Sequence, residues 1–291
     1  MTAGNTGHPV PSPAGGSVLV GVDGSAEALA AVRWAAGDAA LRDGELRILY
    51  VAAANDVPDE AAAARHGAEV LDEARRTALA ERPRLRVGTE LVHGHPARAL
   101  ADAADPAGGV LVVGRRGRGA VAGLVLGSVS RDVAGRTAGP TVVVSGHGAP
   151  PGARVVVGVD GSDEATRAAA FAFEEAGLRG VRLTVVQAVA GSLPEQPTDV
   201  VSAYVPEVEL RAARERLADW CAWWARRYPD VDTVPMVRAG NPADVVAEAA
   251  QGAGLLVVGS RGRGRVRGLL LGSVSQSVMG RFPGPTAVIG A

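Results

Sequence analysis

Short runs rich in Val, Leu and Ile, continuous at 110–113 and 255–258, recur along the chain between longer amphipathic or alanine-rich stretches. Residues 17–23, 46–51, 85–92, 110–113 and 141–144 form one series of five, and 153–160, 181–188, 231–237, 255–258 and 286–289 repeat it in the same order. Continuous apolar runs of this length mark strands buried on both faces. The stretches between them predict helices over about 26–42, 59–82 and 206–228. A short helix is expected after each Gly-x-Pro turn, Gly94-His95-Pro96 and Gly240-Asn241-Pro242, because proline suits a first helical turn. Another is expected after Ser128 and Ser273, and Ser25 and Ser162 read as helix N-caps. Each half is therefore β-α-β-α-β-α-β-loop-α-β, which forces a parallel sheet with helices on both faces. The fold class expected is α/β, as two tandem domains with the closing strands able to pair across them.

The fourth run of each half leads into a segment rich in glycine and arginine. Residues 114–136 and 259–281 share 16 identities in 23. The spacing Gly114-x2-Gly117-x9-Gly127-Ser128 recurs as Gly259-x2-Gly262-x9-Gly272-Ser273. Glycines here let the main chain approach a ligand, and a helix opening at Ser128 or Ser273 adds free N–H groups and a hydroxyl. That layout suits an anion such as a phosphate. In a parallel sheet ligands bind at the carboxyl ends of strands, where the strand order reverses. Asp23 and Asp160, closing the first strand of each half, would share that rim with the loops, or would cap the following helix.

Composition narrows the rest. The 291 residues suit two domains, residues 17–146 and 153–291, with a Gly/Pro linker at 147–152 and a flexible tail at 1–16. Hydrophobic residues make up 47% but aromatic residues only 3%, so the cores are built from aliphatic side chains. A net charge of −1 argues against a general nucleic-acid binder. The single cysteine, Cys221, rules out an intrachain disulfide and reads as a packed small hydrophobe. No run reaches the length of a membrane span, and the first residues lack the pattern of a secretory signal, so a soluble cytoplasmic protein is expected. The second half carries eight more residues between its carboxylate and its loop, placed at 191–206.

The phrase Val-Gly-Val-Asp-Gly-Ser, the Gly-x-Pro turn and the Gly-x2-Gly-x9-Gly-Ser loop together resemble the universal stress protein family, as a tandem of two such domains. The resemblance implies a five-stranded parallel sheet of flavodoxin-like, adenine nucleotide alpha hydrolase-like layout. It also implies ATP binding without vigorous turnover, with Mg²⁺ brought by the phosphates; some members resembling this chain bind cyclic AMP. Carried over by position, carboxylate contacts fall on Asp23 and Asp160, and adenine contacts on the backbone of Val51 and of Ala188. Phosphate contacts fall on Gly114, Gly117, Gly127, Ser128 and Val129, and on Gly259, Gly262, Gly272, Ser273 and Val274. Gly119 and Gly264 belong to the same loops, and Gly21 and Gly158 would leave room beside the first strands.

Arg116 and Arg261, in both copies, and Arg115, Arg118 and Arg263 beside them, could clamp phosphates or form a solvated loop face. His93 and His95 have no counterparts at Ala239 and Asn241 and read as turn residues, not as a metal pair. Trp220, Trp223 and Trp224 are expected to pack against the sheet, with an exposed partner patch as the other reading. No Walker run and no Gly-x-Gly-x-x-Gly follows either first strand, which argues against a fast nucleotide hydrolase and a dinucleotide oxidoreductase. The expected function is a nucleotide-dependent stress-response regulator with one ATP site per domain, an unidentified protein partner and the two domains arranged as an intrachain pseudo-dimer, with a homodimer also open. A cyclic AMP binder, a slow ATPase and a nucleotide-free dimerising scaffold remain the alternatives.

Overall fold

Strands form where the apolar runs place them; helices cover both faces of the inner strands, while the two rim strands stay partly exposed. The computed structural model describes residues 17–53, 60–104, 109–117, 126–137, 139–146, 152–191, 205–262 and 271–290. The first half runs β1 (Ser17–Val22), α1 (Ala26–Leu41), β2 (Glu45–Ala52), α2 (Glu60–Glu81), β3 (Arg86–His93), α3 (Pro96–Ala103), β4 (Val110–Gly114), α4 (Ser128–Ala134) and β5 (Pro140–Val144). The second half runs β6 (Val155–Val159), α5 (Asp163–Arg179), β7 (Leu183–Val189), α6 (Glu207–Ala225), β8 (Thr233–Ala239), α7 (Pro242–Ala249), β9 (Leu255–Gly259), α8 (Ser273–Arg281) and β10 (Thr286–Ile289).

The strand order is β3-β2-β1-β4-β5-β10-β9-β6-β7-β8. Each half is thus a five-stranded parallel sheet with its first strand central. The two closing strands pair antiparallel, with Val142 opposite Ala287 and Thr141 opposite Val288. Joining there removes one raw edge from each half and leaves β3 and β8 at the rims. Side-chain alternation splits the core into two layers. Val18, Val20 and Ile48 face α1, α2, α5 and α6, whereas Leu19, Leu49 and Leu111 face α3, α4, α7 and α8.

Both third strands begin and end later than their apolar runs suggest. Backbone pairing carries β3 to His93, opposite Ala52, and β8 to Ala239, opposite Val189. Val231 lies ahead of its strand as a buried turn residue, its N–H donating to the Tyr228 carbonyl at 3.2 Å. Of the three tryptophans on α6, Trp224 is fully buried and stacks on Phe173 with centroids 5.3 Å apart, while Trp223 is 40% exposed. Packing against the core therefore describes Trp224 and partly buried Trp220 but not Trp223.

A charged cluster also bridges the halves where α1 meets α5. Asp38 and Glu175 occupy corresponding positions in the two repeats, as do Arg42 and Arg179. Arg42 donates from Nε to Asp38 at 2.9 Å and also bonds Glu175; Arg179 donates to Asp38 at 2.6 Å and to Glu175 at 2.5 Å. Glu174 adds a third carboxylate, 2.6 Å from Arg42. Trp34 and Phe171, again corresponding residues, lie under Arg179 and Arg42 at 5.1 and 5.8 Å.

Candidate functional site

Because β1 lies between β2 and β4, the crossovers from β1 and from β4 diverge to opposite faces and leave a crevice at their carboxyl ends. Asp23 stands at that crevice. Gly24 turns the chain with φ +81, a conformation other residues rarely adopt, and Gly161 does the same with φ +80. Asp23 Oδ1 accepts the Ser25 N–H at 3.0 Å, and Ser25 Oγ in turn accepts the Ala28 N–H at 3.1 Å. The helix cap is therefore the serine, and the carboxylate is braced one step outside it. In the second half Asp160 Oδ1 accepts both the N–H and the hydroxyl of Ser162, at 3.0 and 2.6 Å, while Ser162 caps α5.

The glycine loop leaves β4 at Gly114, where a Cβ would come within 3.0–3.1 Å of the Glu27 and Ala28 backbone. The glycine is what lets the first turn of α1 lie against the strand end. The loop is closed at its base by two bonds: Gly127 donates to the Arg115 carbonyl at 2.9 Å, and Ser130 Oγ donates to the Gly114 carbonyl at 2.6 Å. The second half repeats both, Gly272 to Ser260 at 2.7 Å and Ser275 Oγ to Gly259 at 2.6 Å. Ser130 and Ser275 were not singled out from sequence, although the recurrence of Gly-Ser-Val-Ser in both loops marked them.

These elements enclose a cavity of about 690 Å³. Leu49, Val51 and Leu100 line its apolar end, with Tyr50 and His66, whose rings meet edge to face 6.1 Å apart. Its polar end is formed by Asp23, Arg116, Gly117, Gly127 and Ser128. The cavity thus gathers Gly21, Asp23, Val51, Gly114, Arg116, Gly117, Gly127, Ser128 and Val129; Gly119 and Arg118 lie outside the described residues. Gly21 serves packing as well, since a Cβ there would come 2.8 Å from the Leu100 side chain. An anion already sits on one loop donor: the Glu27 carboxylate accepts the backbone N–H of Arg116. The Arg116 side chain is 4.0 Å from the same carboxylate and largely exposed.

Arg115 does not join the cavity. Its guanidinium points to the second half and donates to the Phe282 carbonyl. Burial pulls its pKa below the ordinary arginine value, against the opposing charge of Glu27 and with the like charge of Arg116.

In the second half, Asp160, Gly259 and Gly262 share the corresponding rim, with Ser273 and Val274 opening α8 after Gly272. Ala188 and Val274 pack on the α7–α8 side, and Arg261 is exposed. The space beside Gly158 is taken by Val246, which a Cβ would meet at 3.1 Å. Gly264 and Arg263 lie outside the described residues. A smaller cavity of about 250 Å³ lies elsewhere, among Asp244, Arg281 and Pro283.

Among the described residues no group of three or more His, Cys, Asp or Glu is placed to hold a metal ion, and no helix is long and apolar enough to cross a membrane. His95 takes the N-cap position of α3 without a side-chain bond, where Asn241 caps α7 by accepting the Ala243 N–H at 2.9 Å.

The model of the universal stress protein family matches residues 16–145 and again 153–290. A universal stress protein of Mycolicibacterium smegmatis is 37% identical, the match covering 94% of this chain and 96% of that protein. One of Mycobacterium tuberculosis is 38% identical over 90% of this chain and 92% of its own length. The crystal structure of a universal stress protein from Archaeoglobus fulgidus superposes with a TM-score of 0.70 at 21% identity, covering 95% of this chain and 99% of that one, a likeness of fold.

Proposed function

The chain belongs to the universal stress protein family, and from that premise we propose that it binds ATP at the carboxyl rim of each half and acts as a nucleotide-dependent regulator rather than a fast enzyme. The observation that carries this reading is the two-ended cavity of the first half. Its volume, about 690 Å³, falls within the range of small-molecule sites. The apolar end, with Val51 and Leu100, suits a purine. The loop at the other end offers backbone N–H groups, and the Glu27 carboxylate on the Arg116 N–H supports their taste for anions. Asp23, braced by Ser25 at the polar end, would face ribose hydroxyls. Arg116 is near enough to swing from Glu27 to a phosphate. Mg²⁺ would arrive with the phosphates and needs no dedicated set of ligands from the chain.

The regulatory reading rests on what the rim offers chemically. The Asp23 carboxylate in the cavity is already braced by a backbone N–H, and among the described residues no nucleophile–base pair recurs in both halves. Nucleotide would order the glycine loops, and a partner protein would read that surface.

Isothermal titration with ATP, ADP and cyclic AMP tests the reading, alongside Gly127→Val and Gly272→Val, which would crowd the two loops. ATP binding should survive in each single variant at reduced stoichiometry and vanish in the double variant. Undiminished binding by the double variant would put the site elsewhere. Turnover should fall well below the roughly 1 s⁻¹ at which ordinary enzymes begin.

A further inference from the structure

The main chain of Arg115 is part of the first loop while its side chain belongs to the second half. Its N–H donates to the Val144 carbonyl at 2.7 Å, and its own carbonyl accepts from Gly127 at 2.9 Å and from Ser130 Oγ at 3.3 Å. The side chain crosses the β5–β10 seam and its guanidinium donates to the carbonyl of Phe282, the C-cap of α8. The Nε is buried with no acceptor, so the arginine is held there although one of its donors goes unmet. Beside it, Ser145 Oγ donates to the Pro283 carbonyl.

The corresponding residue of the second loop is Ser260. Its main chain makes the same bonds, to Ile289 at 2.8 Å and from Gly272 at 2.7 Å. Its side chain is only 2% exposed and far too short to reach across the seam as Arg115 does. The link is therefore one-sided. It also lands at a telling place, because α8 runs from Ser273 at the second rim to Arg281, just before Phe282. The guanidinium ties the first loop to the far end of the helix that opens at the second loop.

We infer that Arg115 is a positioning residue that couples occupancy of the first rim to α8 and so to the second rim. This rests on the reading of the first rim as a nucleotide site. Gly114–Gly117 must shift when a phosphate displaces Glu27 from the Arg116 N–H, and Arg115 lies inside that stretch. Coupling of this kind is reciprocal: a change at α8 alters the affinity of the first rim by the same factor.

Hydrogen exchange of the full chain, with and without ATP, reads the coupling directly. It is measured in a Gly272→Val background, so that nucleotide bound at the second rim does not itself protect α8. Without Arg115 substitution, ATP should slow exchange at 114–117 and 127–130, and also by about threefold or more at 279–290. Arg115→Ser, which installs the serine of the second loop, should keep the first effect, lose the second, and weaken ATP by about three- to tenfold. Arg115→Lys keeps a cationic donor and should retain part of the distant effect. Ser145→Ala removes the neighbouring bond to the same turn and should retain all of it. An unchanged response at 279–290 in Arg115→Ser, or none there in the parent chain despite ATP protection of 114–117, overturns the coupling. Failure of the parent to bind ATP at all overturns the nucleotide site itself and the coupling with it, a result distinguishable from the other two.

Discussion

Replacing Glu175 with glutamine should remove a pH dependence that the protein otherwise carries at the seam between its halves. Glu175 and Asp38 are both 0% exposed, and with Glu174 they set three carboxylates against the guanidinium groups of Arg42 and Arg179. One negative charge is in excess in a desolvated place, so one carboxyl holds its proton more tightly than it does in water. Burial pushes Glu175 up to about 7, Asp38 adds to the rise, and Arg179 and Arg42 oppose it without cancelling it. Because the folded value lies above the unfolded one, folding takes up a proton. The contribution is fully present below a pH of about 4.5 and is lost as pH rises through about 7. At about 1.4 kcal/mol per tenfold change in proton affinity, the rise is worth about 3 kcal/mol. At about 2–4 °C per kcal/mol for a chain of this size class, the wild type should lose roughly 6–12 °C of Tm between about pH 4 and pH 8 relative to Glu175→Gln, which cannot titrate. Thermal unfolding followed by circular dichroism measures both curves. A constant separation between them across that range, or a wild type that gains stability relative to the variant as pH rises, refutes the reasoning.

Trp224 is fully buried with its Nε1 unpartnered, so Trp224→Ala should cost about 3–5 kcal/mol in denaturant unfolding while Trp224→Phe costs far less; equal losses would contradict the packing described. Giving α3 the cap that α7 has, by His95→Asn, should add up to about 1 kcal/mol, and a neutral result would show that the turn does not admit the Asn241 geometry. Burial pushes the Cys221 thiol up to about 11, so a thiol-specific reagent at neutral pH should label it only as fast as the chain opens; rapid labelling of the native protein would contradict that.

The inner strands and the pairing of the two halves were legible because burial on both faces leaves nearly continuous apolar runs, and because duplication shows each run twice. Thr141–Val144 and Thr286–Ile289 could be matched as edges that cover each other, and they do pair. Most of the first rim was legible for the same reason, since Asp23, Gly114, Gly117 and Gly127 keep their spacing in the second repeat. What stayed hidden depends on how the halves meet. Asp38 and Arg42 look like an ordinary i,i+4 pair on a surface helix, and so do Glu175 and Arg179; only the crossing of α1 with α5 makes them one buried cluster. Arg115 read as a phosphate clamp or as part of a solvated loop face because it sits in the loop, yet the nearness of Phe282 decides where its side chain goes. The ends of β3 and β8 were missed because backbone pairing, not hydrophobicity, carries His93 and Ala239 into their strands.

Native mass spectrometry of the intact chain titrated with ATP tests the central claim most directly. The account predicts adducts of ATP mass that saturate at two per chain, falling to one in Gly127→Val and in Gly272→Val. No adduct at millimolar ATP would contradict it, and would leave the glycine loops as packing devices that brace β4 against α1 and β9 against α5.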